Sequence, residues 1–383
     1  MKIDDIKTLA VLGAGDMGHG IAEVALLAGF KVFLRDIKQE FVDKGVNRID
    51  ASVKKLVEKG KVTSEHYTKI REELLQPCLT IKEAVQEADL VIEVIPEIPD
   101  LKKETFKEVD QQAPSHALLA SNTSAISISD MATATKRQEK FLGLHFFNPV
   151  VLMKLVEVIR GKQTSDETMN VGYDFCLKLN KVPVRVEKDV PGFLVNRINA
   201  PANLLRGCIL DQGIAKPEEI DALAIKNGAV MGPFELLDFV GIDVSQHVYA
   251  YYEQNLHPDY KLPQVLEGMI KQKHFGKKTG KGFYDWSKGR PKIDISKATD
   301  KVDLMDATAV QINEATKLIE MGVCKLEDVD VAMINGTGIK VGPMAIAKDQ
   351  DPAELTRRLE GLAEKFKKEI FKPTQMIRKG TFK

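Results

Sequence analysis

A histidine and an asparagine interrupt an otherwise apolar run, Phe141-Leu-Gly-Leu-His145-Phe-Phe-Asn148-Pro149. Twelve positions after the histidine, Glu157 stands among apolar neighbours in Leu155-Val-Glu157-Val158. A carboxylate among valines and an imidazole among phenylalanines are both costly to bury alone. Paired, they would satisfy each other, the glutamate accepting from one ring nitrogen while the other nitrogen faces a substrate. That is an orienting group and a general base. The alternative is two half-buried polar residues, each satisfied by backbone.

A second chemical signal lies near the start. Gly13-Ala-Gly15-Asp16-Met17-Gly18 follows the apolar run Thr8–Leu12 and opens a helical pattern. In that context Gly13 permits a tight turn and Gly15 lets backbone approach a pyrophosphate. Gly18 lets the helix pack close to the strand, and the helix N-terminus faces the phosphates. Asp36, at the end of the next apolar run, suits the ribose hydroxyls of NAD and would repel the 2′-phosphate of NADP. Nearby Arg35 and Lys38 could accommodate that phosphate instead. Glu97 follows a further buried run, Asp89–Ile95, with Lys102 five residues on. Each reads either as part of the nicotinamide half of the site or as a solvated loop charge.

The elements that must position these residues are strands alternating with helices. Thr8–Leu12, Lys31–Arg35, Asp89–Ile95 and Ala117–Ser121 read as buried strands, separated by helical patterns over 16–29 and 41–59. The alternation implies a parallel sheet covered on both faces. From Pro191 the strand signals stop and a helical region begins. Within it, Gln212–Asp221 recurs as Met321–Asp330, and Gly232-Pro233 recurs as Gly342-Pro343 after a one-residue insertion. This reads as a duplicated helical module. The positions aligned with Asn196 and Arg197 are Met305 and Asp306, so the second copy lacks any chemistry carried by that asparagine.

Composition narrows the function. The 383 residues suffice for two or three domains. The 55 basic and 55 acidic side chains cancel, which leaves no global electrostatic case for nucleic acid or an anionic membrane. No apolar run approaches the roughly 18 residues of a membrane span, and the first residues lack the apolar core of a signal peptide. A cytoplasmic protein is expected. Cys78, Cys176, Cys208 and Cys324 are scattered, without metal-ligand spacing, and read as buried thiols rather than disulfides or a metal site.

Taken together, the motifs resemble the (S)-3-hydroxyacyl-CoA dehydrogenase family, which includes 3-hydroxybutyryl-CoA dehydrogenases. The matching segments are the glycine turn, Glu93-Val-Ile-Pro-Glu97, Ser121-Asn122-Thr123-Ser124, His145-Phe-Phe-Asn148-Pro and Met153-Lys-Leu-Val-Glu157. Asp189-Val-Pro-Gly-Phe-Leu-Val-Asn196-Arg197, Met231-Gly-Pro-Phe-Glu-Leu-Leu-Asp238 and Phe275-Gly-Lys-Lys-Thr-Gly-Lys-Gly-Phe-Tyr284 extend the match in unbroken order. The resemblance implies an α/β Rossmann-type N-terminal domain over 1–189. An all-α domain of the 6-phosphogluconate-dehydrogenase-like type then covers 190–290, with a degenerate copy over 300–383.

The resemblance also assigns roles. His145 is the general base, oriented by Glu157, while Ser124 and Asn196 hydrogen-bond the reacting substrate and Asn148 shapes the same pocket. Gly13, Gly15, Asp16, Met17, Gly18, Asp36, Glu97, Lys102, Asn122 and Lys278 contact NAD. Ser52 and Lys59 contact the CoA portion, with Lys54, Lys55 and Lys61 adding a basic strip that reads equally well as a solvated helix face. The substrate implied is an acyl-CoA, the 3-hydroxy and 3-keto forms being interconverted. The related alternatives are a dehydrogenase of a free hydroxy or sugar acid, of the gulonate dehydrogenase and λ-crystallin type, and a non-catalytic NAD-binding protein. The second helical copy is expected to pack on the first as an internal pseudo-dimer. The chain would then be a monomer or a dimer, with a possible functional association with an enoyl-CoA hydratase.

Overall fold

Eight short strands, the central ones apolar runs buried on both faces, pair into one sheet. They are β1 (Thr8–Leu12), β2 (Lys31–Arg35), β3 (Leu75–Cys78), β4 (Leu90–Glu93), β5 (Leu118–Ser121), β6 (Phe141–Phe146), β7 (Leu155–Arg160) and β8 (Val182–Val186). Their order is β3-β2-β1-β4-β5-β6-β7-β8. The chain moves outward in one direction from β1 through β3, then returns to build in the other from β4. The crevice at the carboxyl ends of β1 and β4 is therefore the switch point where such sheets bind ligands.

The computed structural model describes residues 1–383. It divides into two compact units, one comprising Met1–Leu194 with Gly322–Gly338, the other Val195–Met321 with Ile339–Lys383. The sheet belongs to the first. Its helices are α1 (Asp16–Leu27), α2 (Gln39–Glu58), α3 (Ser64–Lys69), α4 (Ile81–Val85), α5 (Pro99–Gln112), α6 (Ile128–Ala132) and α7 (Asp166–Lys178).

One pair departs from the parallel sheet expected from the alternation. β6 and β7 run antiparallel, because only residues 147–154 join them, too few for the crossover of about a dozen residues that parallel neighbours need. The sheet is parallel again from β7 to β8. Both edge strands contain a proline, Pro77 in β3 and Pro183 in β8. Side-chain alternation sends Leu142, Leu144, Val156 and Val158 into a core shared with α1 and α7. His145 and Glu157 point to the opposite face by the same alternation.

The second unit is built from α8 (Val195–Asp211), α9 (Pro217–Lys226), α10 (Pro233–Val240), α11 (Ile242–Asn255), α12 (Gln264–Lys271) and α13 (Leu304–Glu320). After α14 (Leu326–Thr337), which falls in the first unit, come α15 (Pro343–Lys348), α16 (Pro352–Phe366) and α17 (Gln375–Lys379). The sequence repeat is real in the backbone: α8, α9 and α10 correspond to α13, α14 and α15. α8 packs directly on α13, and a buried ion pair joins them, Arg197 Nε to Glu314 Oε1 at 2.5 Å.

The division differs from the sequence expectation in two places. The first unit runs through Leu194 rather than ending at 189, since Phe193 and Leu194 are fully buried and the Leu194 N–H bonds Glu157. The 300–383 copy does not stand alone either, because its segment Gly322–Gly338 belongs with the sheet.

Candidate active site

The glycine turn follows β1 directly. Gly13 has φ of +119°, and a Cβ there would lie 2.5 Å from the Val94 carbonyl oxygen. Only glycine fits that conformation and that approach. A side chain at Gly18 would collide with the Gly13 carbonyl, whereas Gly15 opens onto empty space. The α1 N-terminus begins at that opening, with unpaired backbone N–H groups aimed outward. Asp36 at the end of β2 is held by the Ala14 N–H at 2.8 Å and the Ile37 N–H at 2.7 Å. It thus ties the end of β2 to the turn itself. Open room at Gly15, a helix N-terminus and a fixed carboxylate about 20 residues on fit an NAD molecule. Asp16 pairs with Arg48, and Met17 packs on the core edge.

A buried polar chain lies at the ends of β4 and β5. Glu93 accepts from the Ser121 hydroxyl at 2.6 Å, the Lys102 ammonium at 2.6 Å and the Ile95 N–H at 2.7 Å. Burial pushes the Glu93 carboxyl up, while Lys102 and the hydrogen bonds oppose that shift. Lys102 is 1% exposed and also meets Glu97 at 3.1 Å. Glu97 in turn accepts from the Thr123 hydroxyl and from the Ser124 N–H at 3.1 Å. Lys102 therefore lies behind Glu97, its charge spent on two carboxylates. Ser124 is exposed at the end of this chain.

The histidine–glutamate pair resolves the ambiguity of its sequence. His145 and Glu157 are directly opposite in the β6–β7 register, which brings side chains on one face together. His145 Nδ1 lies 2.6 Å from Glu157 Oε2, and the other carboxylate oxygen accepts from the Leu194 N–H at 3.1 Å. Both are buried, at 6% and 0% exposure. Phe147 and Phe193 pack against the imidazole at centroid distances of 4.5 and 5.9 Å. The bond to Glu157 uses Nδ1 and not Nε2.

The remaining expected residues fall in different places. Asn122 uses its amide oxygen to accept from the Phe146 N–H at 2.8 Å, linking β5 to the histidine strand. Asn148 is exposed just beyond β6. It lines an open pocket of about 210 Å³ with Asp16, Glu23, Arg48 and Ser52. The Ser52 hydroxyl donates to Glu23 at 2.6 Å, and burial pushes the Glu23 carboxyl up. Lys59 caps the end of α2 and is exposed, while Lys54 pairs with Asp50. In the helical unit, Asn196 is the second residue of α8. Lys278 pairs with Asp243, in a loop anchored by Asp238, which accepts from the Phe283 and Tyr284 N–H groups and the Trp286 indole.

Sequence reasoning passed over Glu93, Thr123 and Glu23 as individual participants. Glu93 carried a signal, since it closes a wholly buried strand whose other three residues are apolar. No group of side chains suited to holding a metal ion is present.

A glycine turn at the sheet's switch point and a registered histidine–glutamate pair on the same sheet are features shared with nucleotide-dependent oxidoreductases. Comparison with known proteins makes the assignment specific. Residues 8–190 match the 3-hydroxyacyl-CoA dehydrogenase NAD binding domain. Residues 192–286 and again 307–381 match that family's C-terminal domain. The chain belongs to the 3-hydroxyacyl-CoA dehydrogenase family, and the second match independently marks the duplicated module.

Among its relatives, the probable 3-hydroxybutyryl-CoA dehydrogenase of Deinococcus radiodurans is 42% identical over 280 residues, covering 72% of this chain and 99% of that protein. The fatty acid oxidation complex subunit alpha of Idiomarina loihiensis is 36% identical over 353 residues, or 87% of this chain. The chain spans about half the length of that relative, 49%. The crystal structure of 3-hydroxybutyryl-CoA dehydrogenase from Escherichia coli K12 superposes with a TM-score of 0.88 at 29% identity, covering 98% of both chains. No helix is long and apolar enough to cross a membrane.

Proposed function

We propose that the protein interconverts (S)-3-hydroxyacyl-CoA and 3-ketoacyl-CoA esters, with short acyl chains such as 3-hydroxybutyryl and acetoacetyl. The observation that carries this reading is the registered His145–Glu157 pair at 2.6 Å, on the sheet that also bears the glycine turn. NAD, when bound, supplies the hydride chemistry. The turn Gly13–Gly18 with Asp36 holds the adenosine and pyrophosphate parts, and Glu97 with Asn122 borders the nicotinamide half. Lys102 serves that border through Glu97, whose charge it balances.

Oxidising a secondary alcohol requires a group to take the hydroxyl proton as hydride leaves carbon. His145 takes it at Nε2, and Glu157, already bonded to Nδ1, stabilises the resulting imidazolium. Reduction runs the same transfer backwards, with His145 as acid. Ser124 and Asn196 hydrogen-bond the reacting substrate, and Asn148 shapes its pocket. Ser52 and Lys59 serve the CoA portion, and Lys278 the cofactor. Because such a substrate is formed by hydration of an enoyl-CoA, functional association with an enoyl-CoA hydratase fits the same reading.

The test is NADH oxidation with acetoacetyl-CoA against free acetoacetate, followed by medium- and long-chain 3-ketoacyl-CoA esters. Turnover confined to the CoA esters and strongest for the shortest supports the proposal. Equal or better turnover of the free acid would replace it with a free hydroxy-acid dehydrogenase. Tight NAD binding without turnover of any of them would leave a non-catalytic nucleotide-binding protein.

A further inference from the structure

The second helical copy has lost the asparagine aligned with Asn196, yet part of it is built into the nucleotide unit. Its segment Gly322–Gly338 belongs to the same compact unit as the sheet. Val323, Val329 and Ala332 are fully buried there, Met333 is 1% exposed and Cys324 6%. The Val323 carbonyl accepts from the Glu187 N–H at 2.7 Å, one residue past the end of edge strand β8. α14 then packs across β7 and β8. The first copy uses its equivalent helix otherwise, since α9 remains in the helical unit.

The face that α14 covers follows from alternation along β7. Val158, its partner Leu144 and Leu142 meet α7, where Gly172 makes the close approach. Glu157, one residue before Val158, lies on the other face, as does Val184, its partner on β8. Burial pushes the Cys324 thiol up to about 12, and the Asp328 and Glu157 carboxylates add to that shift, which agrees with Cys324 lying on the Glu157 side. The titratable groups facing Glu157 are then His145 from β6 and Cys324 from the turn before α14. Asp328 lies near Glu187, whose carboxylate pairs with Arg160, and Lys188 reaches Gly322.

We propose that the second copy is kept as a positioning element: the turn at Val323–Cys324 and helix α14 roof the Glu157-bearing face of β7 and β8, keeping that carboxylate dry and aligned with His145. A dry surrounding strengthens the glutamate–imidazolium interaction that proton removal depends on. α14 acts through Glu157 and touches no substrate. The loss of Asn196's counterpart from the second copy is then compatible with its retention, because its task lies behind the proton-handling pair. This inference rests on the dehydrogenase reading above.

The test uses the full chain and the pH profile of kcat/KM for 3-hydroxybutyryl-CoA oxidation. Cys324→Asp places a second negative charge beside Glu157, which favours the imidazolium. Its acid limb should move up by about half a pH unit or more. Val329→Ala thins the roof and should lower kcat about tenfold with the KM for NAD unchanged, and Val329→Ile should restore it. Leu359→Ala, an equally buried truncation on α16 of the other unit, provides a match for lost stability. If Val329→Ala and Cys324→Asp lower the melting temperature as Leu359→Ala does but keep the wild-type kcat and acid limb, the roof is only structural and the proposal falls. If Cys324→Asp does not fold, Val329→Ala and its isoleucine partner decide the matter by kcat alone. A wild-type chain without turnover would sink the dehydrogenase reading itself, a different outcome from a wild-type profile in active variants.

Discussion

The two helical copies share a framework and differ in their chemical parts. In the first, Asp211 at the end of α8 accepts from the Gln264 and Val265 N–H groups that open α12. In the second, Glu320 at the end of α13 accepts from the Met376 N–H that opens α17. Both copies restart a helix at Gly-Pro, Gly232-Pro233 and Gly342-Pro343. By contrast, Asn196 has become Met305. Asp238, which anchors the loop carrying Lys278, aligns with Lys348. The carboxylate that caps a helix is preserved in both copies, whereas the asparagine proposed to meet substrate and the aspartate anchoring the Lys278 loop are not. The helix–helix contact has also become one-sided. Arg197 on α8 meets Glu314 on α13, but their counterparts, Asp306 and Leu205, cannot form the reciprocal pair.

Substitutions can break or sharpen this contrast. The largest effect belongs to His145→Gln, which should reduce turnover about a thousandfold while NAD binding, measured by fluorescence titration, survives. Substantial residual activity would mean that proton removal has another base. Next, Arg197→Met leaves Glu314 buried without its guanidinium, although Lys317 still reaches its other oxygen at 3.1 Å. A loss of about 3 kcal/mol in urea unfolding is expected, with most of it recovered when Glu314→Leu is added. No recovery would show that the pair is more than a one-sided ion pair.

Two smaller effects complete the series. Asp238→Ala removes an acceptor used by three donors and should cost about 2 kcal/mol, whereas Lys348→Ala at the aligned position should change stability by less than about 0.5 kcal/mol. Equal losses would mean that the second copy has its own anchored loop. Asp36→Ala, outside both copies, should narrow the preference for NAD over NADP by about tenfold in KM ratio, as the loss of a charged hydrogen bond predicts. An unchanged ratio would place the ribose contact elsewhere.

Much of the fold could be read directly from residue order. Short, mostly apolar runs gave β1, β2, β4 and β5, because buried strands leave a legible pattern. β3, β6, β7 and β8 were not foreseen; β3 and β8 each contain a proline, which breaks the strand pattern. The antiparallel turn between β6 and β7 was hidden in an apolar stretch that could have belonged to either strand direction. For the site, the glycine spacing and Asp36 were explicit, because backbone conformation and charge dictate residue type there. The His145–Glu157 contact depended on strand register, which no spacing in the chain reveals. Lys102 shows a further limit. A lysine near a strand end reads as a ligand contact, and only packing reveals its ammonium turned inward to Glu93 and Glu97.

The prolines in the two outermost strands have a consequence for how the protein behaves in a crowded solution. An edge strand is a template onto which another chain can add, and a residue without an N–H interrupts that template. Pro77 interrupts it on one side and Pro183 on the other, while the Val323 carbonyl occupies the next N–H beyond β8. An eight-stranded sheet rich in valine and isoleucine is thereby protected at both ends against strand addition between molecules. Replacing Pro183 with valine would leave the apolar pattern intact but restore a donor to the rim, and with it a route to aggregation.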